Sequence, residues 1–262
     1  MPGEIRFERE GGIATLRIAN PAKYNAMSLA MWQTLGERVT ALAGDPTVRV
    51  LVLRGDGERA FVSGADISEF DRTRSAETGS DAYDQAVDLA QQALIDSPVP
   101  VVAAIRGVCM GGGLALAMSC DLRYATTDAR FRMPAARLGL GYGYAGIRRM
   151  VGQVGAARVA DLFFTARTFD GTEAARIGVA SDAFAPDRFE AAVAERVTQI
   201  AENAPLTVRL AKRAIAFAEA GSEDPATLAA LAEARRACIA SADYAEGRRA
   251  FAEKRLPKFV GR

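Results

Sequence analysis

The chain contains no histidine. That excludes a Ser-His-Asp triad, a Cys-His pair and a His-ligated zinc, so any general acid or base must be Asp, Glu, Tyr, Lys or Cys. The segment whose residue types bear most directly on chemistry is Val101 to Asp121, VVAAIRGVCMGGGLALAMSCD. An apolar, β-branched run leads into Gly107 and Met110, then into the triplet Gly111-Gly112-Gly113. A second apolar run, Leu114 to Met118, is expected to start a helix. Glycines admit unusual φ values and close approach of a ligand to the backbone. A helix start adds unpaired N–H groups and the positive end of the dipole. Such a corner stabilises an anion; the competing reading is tight packing of a buried helix on a strand. Gly107 and Gly112 have P-loop spacing, but Gly113 and Leu114 stand where Lys and Ser/Thr are required, so a nucleoside triphosphate is not expected. Gly141 to Gly146 (GYGYAG) matches a dinucleotide fingerprint but follows no buried strand and is read as a decoy.

A second segment strengthens the anion reading. Phe61-Val62-Ser63-Gly64-Ala65-Asp66-Ile67 follows the run Val48 to Arg54 (VRVLVLR) by a few residues. Gly64 permits a sharp turn, Asp66 could cap a short helix from Ile67 to Phe70, and Ala65 then offers a second free N–H. Two N–H donors from two loops can make an oxyanion hole. Nearby titratable residues are Glu69, Asp71, Arg72, Tyr83, Asp84 and Arg132. Most of the Asp, Glu and Arg residues among them are read as solvated, with one of them free to reach a pocket if the polar Asp71–Ser80 stretch forms a lid. Cys109 and Met118, beside the glycine triplet, are read as packing.

These segments need elements to hold them. Ala14, Leu16 and Ile18 alternate with Thr15 and Arg17, the pattern of a half-buried strand. Val48–Arg54 and Val101–Ile105 read as strands buried on both faces; Leu122–Thr126 and Ala129–Met133 are short strand candidates. Ser28 to Ala43 reads as a helix with Ser28 as N-cap and Gly44 past its end, and Asp81 to Ile95 as a helix stopped by Pro98 and Pro100. After about Ala145 the strands are expected to stop. Helices are expected over 145–154, 156–164, 172–177, 188–204, 206–220, 225–240 and 242–254, with Asp170-Gly171-Thr172 as a cap. The fold class is therefore α/β with a helical C-terminal part.

Composition sets the outer limits. With 262 residues, 50% hydrophobic, the chain can bury a full core. Lys plus Arg is 33 against 32 for Asp plus Glu, a net charge of +1, so neither a nucleic-acid nor a membrane-surface partner is expected. The three cysteines, Cys109, Cys120 and Cys238, are odd in number and show no C-x-x-C spacing. They read as reduced thiols of a cytoplasmic protein without a signal peptide. No metal site is expected.

Taken together, these segments resemble the enoyl-CoA hydratase/isomerase (crotonase) superfamily. The matching pieces are Asn20–Met27 (NPAKYNAM), Ser63–Ile67, Gly107–Asp121, Pro134 with Gly139, and the tail EGRRAFAEKRLPKF from Glu246 to Phe259. They run in the family's order over nearly the whole chain. The resemblance implies a spiral of β-β-α units over residues 1–200 and a C-terminal helical trimerisation region over 201–262, assembled as a homotrimer or a dimer of trimers. It implies a coenzyme A thioester substrate and no separate cofactor, with the thioester oxygen between the N–H groups of Ala65 and Gly112. It also places coenzyme A near Lys23, Ala26, Gly64, Ala65, Asp66 and Ile67, with Phe251 and Lys254 reaching in from a neighbouring subunit.

The sequence departs from the family at the chemistry. Hydratases of this superfamily carry two glutamates that activate water; here Ala115 and Ala135 stand at those positions. An aspartate used by other members would fall at Gly143. The segment Leu138 to Ile147 resembles bacterial methylmalonyl-CoA decarboxylase, with Tyr142 at an active-site position and Tyr144 as a weaker candidate; packing against a pocket wall is the plainer role for Tyr142. Decarboxylation needs no base to begin, only stabilisation of the thioester enolate. An apolar pocket would add to that by destabilising the bound carboxylate. Three outcomes stand open: an enolate-forming acyl-CoA enzyme such as a decarboxylase, a hydratase or isomerase with a relocated acid/base, and a non-catalytic acyl-CoA-binding trimer.

Overall fold

A computed structural model describes residues 2–66 and 77–262. The expected helix from Ile67 to Phe70 and the candidates Ile67, Glu69, Asp71 and Arg72 lie outside the described residues. Of the Asp71–Ser80 stretch expected as a lid, residues 77–80 belong to a helix.

The alternation at Ala14, Leu16 and Ile18 sets one face of strand β2 (Ile13–Ala19) into the core. β1 (Glu4–Glu10) pairs with β2 antiparallel, and β3 (Val50–Gly55) pairs with it parallel. Helix α1 (Leu29–Ala43) begins where Ser28 Oγ accepts the Met31 N–H at 3.2 Å, and Gly44 follows its end.

Three successive turns of chain then repeat one plan. β3 is followed by β4 (Ala60–Val62) and α2 (Glu77–Asp96). β5 (Val101–Ile105) is followed by β6 (Val108–Met110) and α3 (Gly112–Met118). β7 (Leu122–Thr126) is followed by β8 (Arg130–Arg132) and α4 (Ala135–Leu138). After α5 (Tyr144–Val154) and α6 (Ala156–Thr165) come β9 (Thr168–Asp170), α7 (Gly171–Arg176) and β10 (Asp182–Phe184). The first strand of each turn enters a six-stranded sheet ordered β1-β2-β3-β5-β7-β10, and the second enters a four-stranded sheet ordered β4-β6-β8-β9. This is the β-β-α spiral that the resemblance implied.

The expectation that strands stop near Ala145 fails at β9 and β10. Each is three residues long, too short to show a period; β9 pairs antiparallel with β8 and β10 parallel with β7. The remaining chain is helical: α8 (Phe189–Glu202), α9 (Pro205–Glu219), α10 (Pro225–Ala240) and α11 (Ala242–Ala252). α8 explains why β3 and β5 read as apolar on both faces. Its Phe189, Val193 and Val197 cover Val50, Val52, Val102 and Ala104, while Leu51, Leu53, Val101 and Ala103 face the main core with Trp32 and Leu35. Lys212 of α9 pairs with Asp121 at 2.8 Å and donates to Val99 O at 3.0 Å, docking that helix against the turn before β5.

The four-stranded layer touches α3 through glycine. A Cβ on Gly113 would stand 2.1 Å from Val62 O, so α3 lies directly on β4. Gly113→Ala is therefore expected to destabilise the fold by about 1–3 kcal/mol, the usual cost of overpacking a well-packed core, as read by urea unfolding; an unchanged midpoint would mean α3 moves freely off β4.

Candidate active site

The approach of α3 to the segment after β4 builds the candidate site. Gly111 precedes α3 at φ 51°, ψ −118°, a conformation that an L side chain rarely takes, and donates its N–H to Arg132 O at 3.0 Å. The helix thus begins at Gly112, two residues before the expected Leu114. As the first helical residue, Gly112 has no acceptor four residues back, and its N–H meets none among the described residues. Opposite it, Gly64 adopts φ 124°. A Cβ on Gly112 would stand 4.0 Å from Gly64 Cα, and one on Gly64 would stand 4.0 Å from Gly112 N. The two glycines therefore face each other, with an added Cβ on either falling at ordinary van der Waals distance from the other.

Ala65 is oriented by a single parallel bridge to Met27. Met27 N–H donates to Gly64 O and Asp66 N–H to Met27 O, each at 2.9 Å. Strand groups alternate in direction, so the N–H of Ala65 points away from Met27, and it too meets no acceptor among the described residues. Residues 20–27 hold this bridge in place. Asn25, at φ 56°, donates to Ala60 O at 2.8 Å and Asp56 O at 3.0 Å, while its Oδ1 accepts the Asn20 N–H at 3.0 Å. Asn20 Nδ2 donates to Ala26 O at 2.9 Å. Both asparagines are buried. The motif had been noticed for its resemblance, but these roles were missed, because partners such as Asp56 O and Ala60 O are contacts only of the folded chain.

The other end of α3 is equally fixed. Arg123, 6% exposed, donates to Cys120 O and Val179 O at 2.7 Å each. Arg149 Nε and Gln153 Nε2 donate to Met118 O at 2.9 and 3.1 Å. Cationic donors on terminal carbonyls stabilise a helix end, and burial lowers the Arg123 pKa without neutralising a guanidinium.

Beside α3 opens a cleft of about 1240 Å³ lined by Ala115, Met118 and Ser119, by Asp84 and Asp88 of α2, by Tyr144 and Arg149 of α5, and by Glu219. Glu219 and Arg149 lie 3.5 Å apart. Ala115 is 6% and Ala135 3% exposed, each among apolar neighbours. Tyr142 does not line this cleft. Its ring meets Phe163 edge-on at 5.3 Å, and burial, with a smaller contribution from Tyr83, pushes its pKa up, so the phenol stays protonated. Tyr144 is 78% exposed. Tyr83, named among the titratable residues without a role, is 4% exposed and hydrogen-bonded. Arg132 points elsewhere, donating to Ala166 O at 2.7 Å. Cys109 and Met118 are packed as expected, and burial raises the Cys109 thiol and pushes Cys120 up to about 12.

Among the residues expected near coenzyme A, Lys23 and Asp66 form an ion pair at 2.7 Å at the mouth of the corner. Ala26 is buried beside them. Phe251, 88% exposed, and Lys254, at φ 53°, lie far along the chain at the end of α11. The tail beyond them folds back: Asp243 accepts the N–H groups of Val260 and Gly261 at 2.7 and 2.8 Å, and Glu246 accepts from Lys258 N at 2.9 Å and from Arg255 at 2.6 Å.

A two-sheet β-β-α spiral defines the class of protein. The chain belongs to the enoyl-CoA hydratase/isomerase family, whose model matches residues 8–262. It is 34% identical to the short-chain-enoyl-CoA hydratase of Clostridium acetobutylicum, over 96% of this chain and 95% of that one. It is 33% identical to the crotonyl-CoA hydratase of Syntrophomonas wolfei, over 98% of both. The crystal structure of an enoyl-CoA hydratase/carnithine racemase from Magnetospirillum magneticum superposes with a TM-score of 0.93 at 35% identity, covering 98% of this chain and 96% of that one. No helix among the described residues is long and apolar enough to cross a membrane.

The tail has a testable pH dependence. Hydrogen bonds from Arg255, Arg249 and Lys258 N hold the Glu246 carboxyl well below its ordinary value of 4.5. A depressed folded-state pKa contributes stability that is complete above 4.5 and is lost as pH falls through the lower folded value. Proteolysis of the tail should be slow and constant above that range and accelerate below it; Glu246→Gln should be cleaved at the faster rate throughout. A tail equally resistant in the variant would remove Glu246 from this role.

Proposed function

We propose that the chain is an enzyme that binds an acyl-CoA thioester with its carbonyl oxygen between the N–H groups of Ala65 and Gly112, and that an enolate-like oxyanion forms there. The observation carrying this reading is the meeting of those two unpaired donors across the Gly64–Gly112 contact. Backbone donors held by a rigid scaffold stabilise developing charge without reorganising, and loss of one such donor typically costs about 10²–10³ in rate. The hydratase names of the relatives support the acyl-CoA substrate.

The outcome we favour is decarboxylation of a malonyl-type thioester. The bond from the α-carbon to the carboxylate breaks, its electron pair enters the thioester enolate, carbon dioxide leaves, and a proton returns to the α-carbon. Ala115 and Ala135 supply no carboxylate to activate water, and the protonated phenol of Tyr142 suits a hydrogen-bond donor rather than a base. A second reading, hydration or isomerisation with a relocated acid/base, is supported by the carboxylates of Asp84, Asp88 and Glu219 in the cleft that Ala115 lines. Coenzyme A itself would lie toward Lys23, Gly64 and Asp66, with Phe251 and Lys254 supplied by a second copy in a homotrimer.

Crotonyl-CoA and methylmalonyl-CoA, assayed side by side for loss of enoyl absorbance and for carbon dioxide release, separate these outcomes. Carbon dioxide release is the expected result; hydration at a rate typical of the family would overturn it in favour of the relocated acid/base. Gly112→Pro should lower whichever activity is found by about 10²–10³ while leaving the fold intact, because proline is tolerated at a first helical position but has no N–H. Near-normal turnover would refute the oxyanion assignment. Tyr142→Phe should slow decarboxylation and leave coenzyme A affinity unchanged; an unaltered rate would assign Tyr142 to packing.

A further inference from the structure

The two segments that carry the candidate donors come from different turns of the spiral, and the glycine contact alone does not fix the direction of either N–H. A pair of buried polar side chains joins them. The Trp32 indole N–H donates to the Tyr83 hydroxyl at 2.8 Å, and that hydroxyl donates to Met27 O at 3.2 Å. Met27 O also accepts the Asp66 N–H, so the residue that aims Ala65 is itself held by Tyr83. The far edge of the same indole faces the other donor: a Cβ added to Gly112 would lie 3.8 Å from Trp32 Cζ2, so the indole bounds the space beside Gly112. Trp32, Met27 and Tyr83 are 1%, 0% and 4% exposed. From this we infer that Trp32 and Tyr83 form a strut that sets the spacing and direction of the Ala65 and Gly112 N–H groups, with Tyr83 a positioning residue for the oxyanion corner.

The inference rests on the oxyanion reading above and adds the residues that tune it. Among the described residues Tyr83 accepts the Trp32 indole N–H and donates to the buried Met27 carbonyl, which it thereby holds. Without the hydroxyl, an indole N–H and a carbonyl must both relax to find new partners, and the bridge that aims Ala65 relaxes with them. A misplacement of about 1 Å in such a site can cost about 10²-fold in rate.

Tyr83→Phe tests the strut while keeping the ring. The probe is butyryl-CoA labelled with ¹³C at the thioester carbonyl, bound to the full-length protein and read by difference infrared spectroscopy. Two well-aimed donors shift the carbonyl stretch to lower frequency in the unaltered protein. Tyr83→Phe should lose at least about half of that shift and lower kcat by about 10- to 100-fold, with the Kd for coenzyme A changed less than about twofold. Trp32→Phe, which removes the donor and the indole edge, should change the band in the same direction and serves if the first variant is poorly soluble. A purely structural role would lower the melting temperature and leave the band of the folded, ligand-bound protein where it was; that result, in either variant, overturns the strut but leaves the oxyanion reading standing. A carbonyl band unshifted in the unaltered protein would overturn both.

Discussion

A backbone N–H cannot be aimed by its own residue; its direction is set by the chain on either side. On the proposed oxyanion reading, bringing two of them to one point from segments nearly fifty residues apart is the constraint around which this fold is arranged. The approach of Gly64 to Gly112 meets it, with Gly64 at φ 124° in a backbone conformation that L side chains rarely adopt. The repetition of strand, strand and helix supplies the two segments in register. β4 and β6 lie side by side in one sheet, and the chain leaving each turns toward the same corner.

The corner is then held from several sides. Asn20 and Asn25 pin residues 20–27 beneath β4, and Met27 passes that order to Ala65. Arg149 and Gln153 hold Met118 O, the last carbonyl of α3, and Arg123 holds Cys120 O just beyond it, so the helix cannot tilt without breaking these bonds, two of them charge-assisted. Because α3 has only two turns, its unpaired first N–H contributes more to the site than any long-range dipole. Ala115 and Ala135 are buried among apolar neighbours, and Ala115 shares its cleft with the carboxylates of Asp84, Asp88 and Glu219.

Much of this was legible in the sequence, for identifiable reasons. The Ser28 cap, the alternation in β2 and the doubly buried runs of β3 and β5 carry local patterns that tertiary packing reinforced. The glycine triplet announced a close backbone approach, and the order of short motifs pointed to the family. β9 and β10 were missed because three residues show no period. β1, EIRFERE, was missed because its polar residues face outward and only Ile5 is buried. Tyr83 carried no assigned role because nothing local reveals that Trp32, 51 positions earlier, will meet it. The tethering of the tail to Asp243 and Glu246 was likewise invisible, since backbone N–H groups of residues 258–261 are the partners.

The most direct test of the central claim is a crystal structure with acetoacetyl-CoA, whose enolate resembles the proposed intermediate. The account predicts the thioester oxygen within about 3 Å of both Ala65 N and Gly112 N, the normal range for an N–H···O bond. A thioester oxygen bound to a side chain or to solvent, with either N–H left empty, would contradict it.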